Sequence, residues 1–155
     1  MSVLDLRALL EALHGHGVRF VLIGGVAVAA HGYVRATEDL DLVPDPEREN
    51  VHHLVDALLG LRATVPGARD RPLGAPEQQA LAQGRSLSLI TDRGAIDIVQ
   101  RAAGVPGFSE LAEDAVATEL LGVPVLVCSL ARLRAMKEAA GRTQDRADLE
   151  RLPPL

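Results

Sequence analysis

Aromatic side chains are almost missing from this sequence: Phe20, Tyr33 and Phe108 are the three present, and there is no tryptophan. A row of stacking aromatics, the usual platform for single-stranded nucleic acid, is therefore excluded. Cysteine is nearly missing too. Cys128 stands alone, which rules out an internal disulfide framework and a multi-cysteine zinc site, and fits a reducing cytoplasm. Nor is there an excess of positive charge: 16 basic residues face 21 acidic ones, a formal net charge of -5, so any nucleic-acid contact must be local. The longest apolar run, Phe20 to Ala30, has 11 residues, whereas spanning a bilayer takes about 20. Asp5 and Arg7 interrupt the opening leucines, so Met1 to Leu10 does not read as a signal peptide. These absences predict a soluble, cytoplasmic protein with no membrane segment.

What is present is globular in kind, 48% hydrophobic and 24% charged over 155 residues, which predicts one domain over residues 1–155. Leu6, Leu9, Leu10 and Leu13 share a helical face, with Ser2 as N-cap and Gly15 and Gly17 as the stop. Val18 to Ile23 reads as a buried strand ending at Gly24-Gly25, and Val26 to His31 as one or two helical turns. Asp39 to Val43 alternates with period two, a strand signature. Asp45-Pro46 reads as the N-cap and first residue of a helix whose apolar face is Val51, Leu54, Val55 and Leu58, closed by Gly60. Val65 to Gly84 reads as a loop with a helical turn around Glu77 to Ala82. Leu87 to Thr91 and Ala95 to Val99 form a hairpin around Asp92-Arg93-Gly94. A helical stretch is expected at Leu111 to Leu120, then a strand at Val123 to Val127. Ser129 caps a helix to Ala140, and a short helix follows from Gln144 to Leu152.

The chemistry concentrates in Gly24-Gly25 at a strand end, Asp39-x-Asp41 on the next strand and Asp97 on a later one. Residues two apart on a strand project to one face, so the two carboxylates can share a cation while Leu40 and Leu42 pack behind. Paired carboxylates suit Mg²⁺, which prefers to be bound jointly with substrate phosphates. Glycines before a helix let phosphate oxygens approach backbone N–H groups. A third carboxylate at Asp97 completes a two-metal site and can accept the proton of an attacking hydroxyl. Each feature has a plainer reading: glycines for a tight turn, Asp-x-Asp on a solvated strand face, and Asp97 satisfied by backbone N–H groups.

Other motifs fail on spacing. An EF-hand loop beginning at Asp39 would need Gly sixth and Glu twelfth, where Pro44 and Asn50 stand. A dinucleotide fingerprint and a P-loop lysine are both absent after the first strand. His14, His16, His31, His52 and His53 lack zinc-protease spacing, and only His31 lies beside the proposed site. Cys128 reads as a core residue.

The stretch Gly24-Gly25-Val-Ala-Val-Ala-Ala-His31-Gly32-x-x-Arg35-x-Thr37-x-Asp39-Leu-Asp41-Leu resembles the signature of the nucleotidyltransferase superfamily with the DNA polymerase beta-like fold, and within it the AbiEii and MenT-type toxin-like branch. Asp97 in Ala-Ile-Asp-Ile matches that family's third acid. Lys137-x-x-Ala140-x-Arg142-x-x-Asp145-x-x-Asp148-Leu149 is similar to its later motif of a lysine followed by D-x-x-D. Gly25 departs from the family's Gly-Ser pair, so backbone donors must serve there.

The resemblance implies an α/β (α+β) nucleotidyltransferase fold, a short mixed sheet flanked by helices. It implies transfer of a nucleoside monophosphate from an NTP to an acceptor hydroxyl, with two Mg²⁺ ions. Asp39, Asp41 and Asp97 are the expected catalytic and metal-binding residues, and Gly24, Gly25, Arg35 and Lys137 the expected phosphate holders. Arg35 has a second reading, neutralising Asp39. Lys137 is the only lysine in the chain, and Asp145 and Asp148 have two readings, pairing with Arg142 or Arg146 and a catalytic role, of which the pairing is preferred. The acceptor stays open among tRNA, a partner protein and a small molecule. So does the partner, a homodimer mate or a cognate toxin or antitoxin. Larger relatives carry more C-terminal helix, which implies that an acceptor-binding part is missing or comes from a second subunit. A non-catalytic nucleotide-binding or antitoxin-like module on the same fold is the alternative. With so few aromatics, base recognition should rest on backbone groups and aliphatic walls, giving loose NTP selectivity.

Overall fold

The computed structural model describes residues 3–67 and 71–155. Six strands form one mixed sheet: β1 (Phe20–Ile23), β2 (Asp39–Pro44), β3 (Leu87–Thr91), β4 (Gly94–Ile98), β5 (Val116–Leu120) and β6 (Val123–Val127), in the order β3-β4-β2-β1-β6-β5. β1 with β6 and β2 with β4 are parallel, and the other three pairs are antiparallel. Around the sheet lie α1 (Leu6–Gly15), α2 (Gly24–Ala30), α3 (Arg48–Gly60), α4 (Ala75–Ala82), α5 (Phe108–Glu113), α6 (Leu130–Ala140) and α7 (Thr143–Arg151).

Alternation along β2 and β4 decides what faces the core. Leu40, Leu42, Ile96 and Ile98 are fully buried on one side, where they join a core that includes Leu9, Leu10 and Leu13 of α1 and Leu54 and Leu58 of α3. Each such side chain contributes about 2 kcal/mol of apolar burial. The opposite face of the same strands is thereby left to Asp39, Asp41 and Asp97. No described helix is long and apolar enough to cross a membrane.

Several boundaries differ from the sequence reading, each for a local reason. Ser2 lies outside the described residues. The α1 cap is Asp5, whose carboxylate accepts the Ala8 N–H at 3.1 Å. Asp45 is not the cap of α3: its side chain accepts the Glu47 N–H at 3.0 Å and an Arg19 guanidinium N–H at 2.9 Å, making a turn that delays the helix to Arg48. The loop expected from Val65 to Gly84 contains a full helix, α4, entered through Pro76 and held by Glu77, which accepts the Gly74 N–H at 3.0 Å.

The largest correction concerns Leu111 to Leu120. α5 stops at Glu113, and Val116–Leu120 is a strand. Leu121 and Gly122 have φ of 50° and 83°, the paired positive values of a two-residue hairpin turn. That turn folds Val116 and Thr118, both β-branched, back onto β6.

Candidate active site

Strand register assembles the acids. In the parallel β2–β4 pair Asp41 lies opposite Asp97, and Asp39 is two residues along the same face. One carboxylate oxygen from each of the three lies within 4.8 Å of the others. Ile23, the last residue of β1, lies opposite Asp41, so the chain leaves β1 directly beside that carboxylate. Gly24 and Gly25 are therefore the first residues of α2 itself, not a loop before it. Gly24 has φ 69°, and a Cβ there would sit 2.0 Å from an Asp41 oxygen. Only glycine fits that position, on conformation and on space alike. At Gly25 a Cβ would stand 2.7 Å from the Thr37 hydroxyl, so the family's serine would need Thr37 to shift.

Burial and mutual repulsion raise the pKa values of Asp39 and Asp41. Asp41 is pushed up to about 7, first by desolvation and then by Asp39 and Asp97 beside it. Asp39 is raised for the same reasons, desolvation first and Asp97 next. Among the described residues no Lys, Arg or His pairs with Asp39, Asp41 or Asp97, whereas the buried acids Glu77, Asp145 and Asp148 all have cationic partners. Three hard oxygen donors, close together and without a counter-charge, are a fit for a divalent cation such as Mg²⁺.

The basic residues expected at the site are held by α7. Arg35, 17% exposed, makes a bidentate contact to Asp148 at 2.8 and 2.9 Å. Lys137, 7% exposed, lies 3.1 Å from Asp145 and 2.9 Å from Asp148. Gln144 donates to Asp148 at 2.9 Å. Asp145 also accepts the Arg142 backbone N–H at 3.1 Å and its Nε–H at 2.7 Å. Burial alone would raise Asp145, but hydrogen bonds from Arg142 and Lys137 prevail and bring it to about 2. Arg142 differs from the other two cations in being 75% exposed. Arg35, Lys137, Arg142, Gln144, Asp145 and the three acids line one cleft of about 610 Å³, with Val99, Val105, Leu133 and Met136 as its apolar wall and Asp148 buried behind it.

The family model described as "Nucleotidyl transferase AbiEii toxin, Type IV TA system" matches residues 7–148. The chain belongs to this family. No match to a curated protein was found. Among solved structures, the fold of this AbiEii-family chain is similar to TM1012 from Thermotoga maritima, a protein assigned to the nucleotidyltransferases, with a TM-score of 0.58 at 16% identity over 97% of this chain and 95% of that one. It is also similar to the antibiotic-resistance factor ANT(2'')-Ia, with a TM-score of 0.60 at 16% identity over 94% of this chain and 78% of that one. These likenesses establish the nucleotidyltransferase fold, and the family match makes the AbiEii-family chain a nucleotidyltransferase.

The cleft of this AbiEii-family protein thus brings together Asp39, Asp41, Asp97, Gly24, Gly25, Arg35 and Lys137. Arg35 does not neutralise Asp39, and Arg146 pairs with neither α7 acid. His31 stays a structural residue: its Nε2 meets the Cys128 carbonyl at 2.7 Å, tying the end of α2 to the end of β6. Sequence reading passed over Arg142 as a site residue, although its place between Lys137 and Asp145 in the motif was a usable signal. Met136, Leu133 and Val105 gave none, since nothing local separates a cleft wall from a core face.

The two charge clusters work in opposite directions with pH. Asp41 has a folded pKa of about 7 against an ordinary 3.8, so its favourable contribution is complete below about pH 4 and is lost as pH rises through 7. Asp145, at about 2, contributes above about pH 4 and loses that contribution as pH falls through 2. The metal-free protein should therefore melt several degrees lower at pH 8 than near pH 5. Excess Mg²⁺ should close that gap at pH 8 and change little at pH 5. Thermal melts with EDTA or Mg²⁺ at the two pH values check this; equal Mg²⁺ shifts at both would contradict it.

Proposed function

We propose that this chain transfers a nucleoside monophosphate from an NTP to an acceptor hydroxyl, as part of a toxin–antitoxin pair. The observation that carries this reading is the carboxylate triad, without a cationic ion-pair partner, beside Gly24 at the start of α2. Asp39, Asp41 and Asp97 would hold two Mg²⁺ ions. When bound, these ions supply charge neutralisation on the phosphates and on the leaving pyrophosphate. Gly24 and Gly25 offer backbone donors unsatisfied within the helix, where an anion is favoured. Asp97 orients the acceptor hydroxyl and takes its proton. The acceptor oxygen then forms its bond to the α-phosphorus as the bond to the bridging oxygen breaks, and pyrophosphate leaves.

Arg142 is the most exposed of the three cations at the cleft, although its guanidinium donates to both oxygens of Asp145, at 2.7 and 3.2 Å, and its exposure is what leaves it accessible to a triphosphate. Lys137 is already balanced by two carboxylates and Arg35 by a bidentate one, so both support the rim more than they offer charge. Replacing Arg142 with Ala should raise KM for NTP about tenfold with a smaller change in kcat, the pattern of a ground-state phosphate contact. Steady-state kinetics check it; an unchanged KM would remove Arg142 from the phosphate site.

None of the three aromatics lines the cleft, and Phe20 and Phe108 lie in a separate groove. A base would meet Val99, Val105, Leu133 and Met136 instead, which supports loose NTP selectivity. The reading is tested by incubating the protein and Mg²⁺ with each α-labelled NTP and total tRNA, and separately with purified candidate protein partners and small molecules. Label should pass to one acceptor class and pyrophosphate should appear. Absence of both, with no Mg²⁺-dependent NTP binding that Asp41→Ala removes, would overturn the reading. Growth arrest on expression, relieved by Asp41→Ala, would support the toxin role.

A further inference from the structure

The sheet has two edges, and they are treated differently. At β3 the outer side is partly covered, because Thr64 and Ile90 exchange backbone hydrogen bonds of 2.8 and 2.9 Å. At the other end, β5 pairs only with β6 among the described residues, and its residues from Val116 to Glu119 are all exposed. Natural edges are usually blunted by a bulge, a proline or charged side chains, lysine above all. β5 has no bulge, proline or lysine and a single charge, Glu119: its register with β6 runs one to one from Val116↔Val127 to Leu120↔Val123, and its sequence is Val-Ala-Thr-Glu-Leu. Apolar surface flanks it, with Val116 45% and Leu121 49% exposed.

The direction of the free backbone groups follows from one residue. Pro124, opposite Glu119, has no N–H, so Glu119↔Pro124 cannot be a hydrogen-bonded pair of the antiparallel ladder. Alternation then gives the bonded pairs to Val116, Thr118 and Leu120, and turns the N–H and C=O groups of Ala117 and Glu119 outward to the open edge.

We propose that β5 pairs antiparallel with β5 of a second copy of this chain, about a two-fold axis at Thr118. This register uses all five residues of the strand. Ala117 meets the partner's Glu119 as a hydrogen-bonded pair, and the reciprocal pair forms by symmetry, so the outward groups on both chains find partners. Thr118 faces its own copy, and Val116 faces the partner's Leu120, which matches a β-branched side chain with an aliphatic one. Strand length and charge together select this register, since an axis at Ala117 would pair only residues 116–118 of β5. An axis at Glu119 would set two carboxylates directly opposite each other in an already acidic chain, whereas an axis at Thr118 sets each Glu119 against an alanine. The resulting sheet has twelve strands and buries the edge that is open in the single chain. The interface is small, so association should fall in about the micromolar range.

The register makes the test specific. Sedimentation of the wild-type chain should show a concentration-dependent monomer–dimer equilibrium; a monomer at every concentration up to hundreds of micromolar would overturn the proposal. Ala117→Glu, which sets two carboxylates opposite each other twice per dimer, should weaken dimerisation about tenfold, and Ala117→Lys should strengthen it. The same effect from both variants would overturn the register. Thr118→Cys should give a covalent dimer on mild oxidation, because residues facing each other in a non-bonded pair have Cα atoms about 4.5 Å apart. Val116→Cys should not, since its copies lie four residues out of register, about 13 Å apart along the strand. Equal cross-linking of the two, or none with Thr118→Cys in a protein whose circular dichroism is unchanged, would equally overturn the proposal. Cys128 does not compete: it is buried, and desolvation pushes its thiol up to about 12.

Discussion

Asp41→Asn is expected to lower nucleotidyl transfer by about a thousandfold and, in the same protein, to raise the melting temperature at pH 8. Loss of a carboxylate that holds a metal against a transferring phosphoryl group removes several kcal/mol of transition-state stabilisation, and about 4 kcal/mol corresponds to a factor of 10³. Stability moves the other way because desolvation, and then Asp39 and Asp97 beside it, push the pKa of the partly buried Asp41 to about 7. Above that pH the metal-free fold must hold an ionised carboxylate against desolvation and two neighbours. Asn has the same shape without the charge, so the variant should recover on the order of 1–3 kcal/mol at pH 8 and much less at pH 5, where Asp41 is already protonated. Initial rates with labelled NTP and melts in EDTA measure the two effects. A variant that loses activity and also melts lower at pH 8 would show that Asp41 serves the fold, which would sink the site assignment.

Asp148→Ala is expected to cost about 3–5 kcal/mol, a large share of the 5–15 kcal/mol that holds a typical domain. Asp148 is fully buried and accepts from Arg35 twice, from Lys137 and from Gln144. Removing it leaves Lys137 on Asp145 alone and gives the partly buried Arg35 guanidinium no carboxylate. The melting temperature should fall by roughly 10 °C. Arg62→Ala offers the contrast: its 3.6 Å contact to Asp92 joins two exposed side chains, so its loss should shift stability by less than about 1 kcal/mol. A urea titration of both variants decides between them; similar small losses would show that α7 does not anchor the rim.

The parts of the site legible in the sequence were those set by short-range geometry. Asp39 and Asp41 share a face because any strand alternates, and the hairpin that carries Asp97 was marked by Asp92-Arg93-Gly94. Ser129 and Gly141 bounded α6 because caps act through neighbouring backbone groups. Reading failed where a local preference was overruled by a partner distant in sequence. Asp45 has the composition of a helix cap, but Arg19 and the Glu47 N–H claim its carboxylate. Lys137 reads as a free phosphate ligand until α7 folds back and sets two acids against it.

By itself, then, the sequence determined the family, the acidic strand and the face on which its carboxylates stand, because periodicity and motif order are properties of neighbouring residues. Only the tertiary structure decided which charges are exposed. Lys137, Arg35 and Arg142 are alike as cations on paper, and it is the packing of α7 against α6 and the Arg35 loop that sets all three in ion pairs, encloses Lys137 and most of Arg35, and leaves Arg142 exposed at the cleft. The physical reason is that a charge's availability depends on desolvation and on partners a hundred residues away, as Arg35 is from Asp148, and neither is written in the residues beside it.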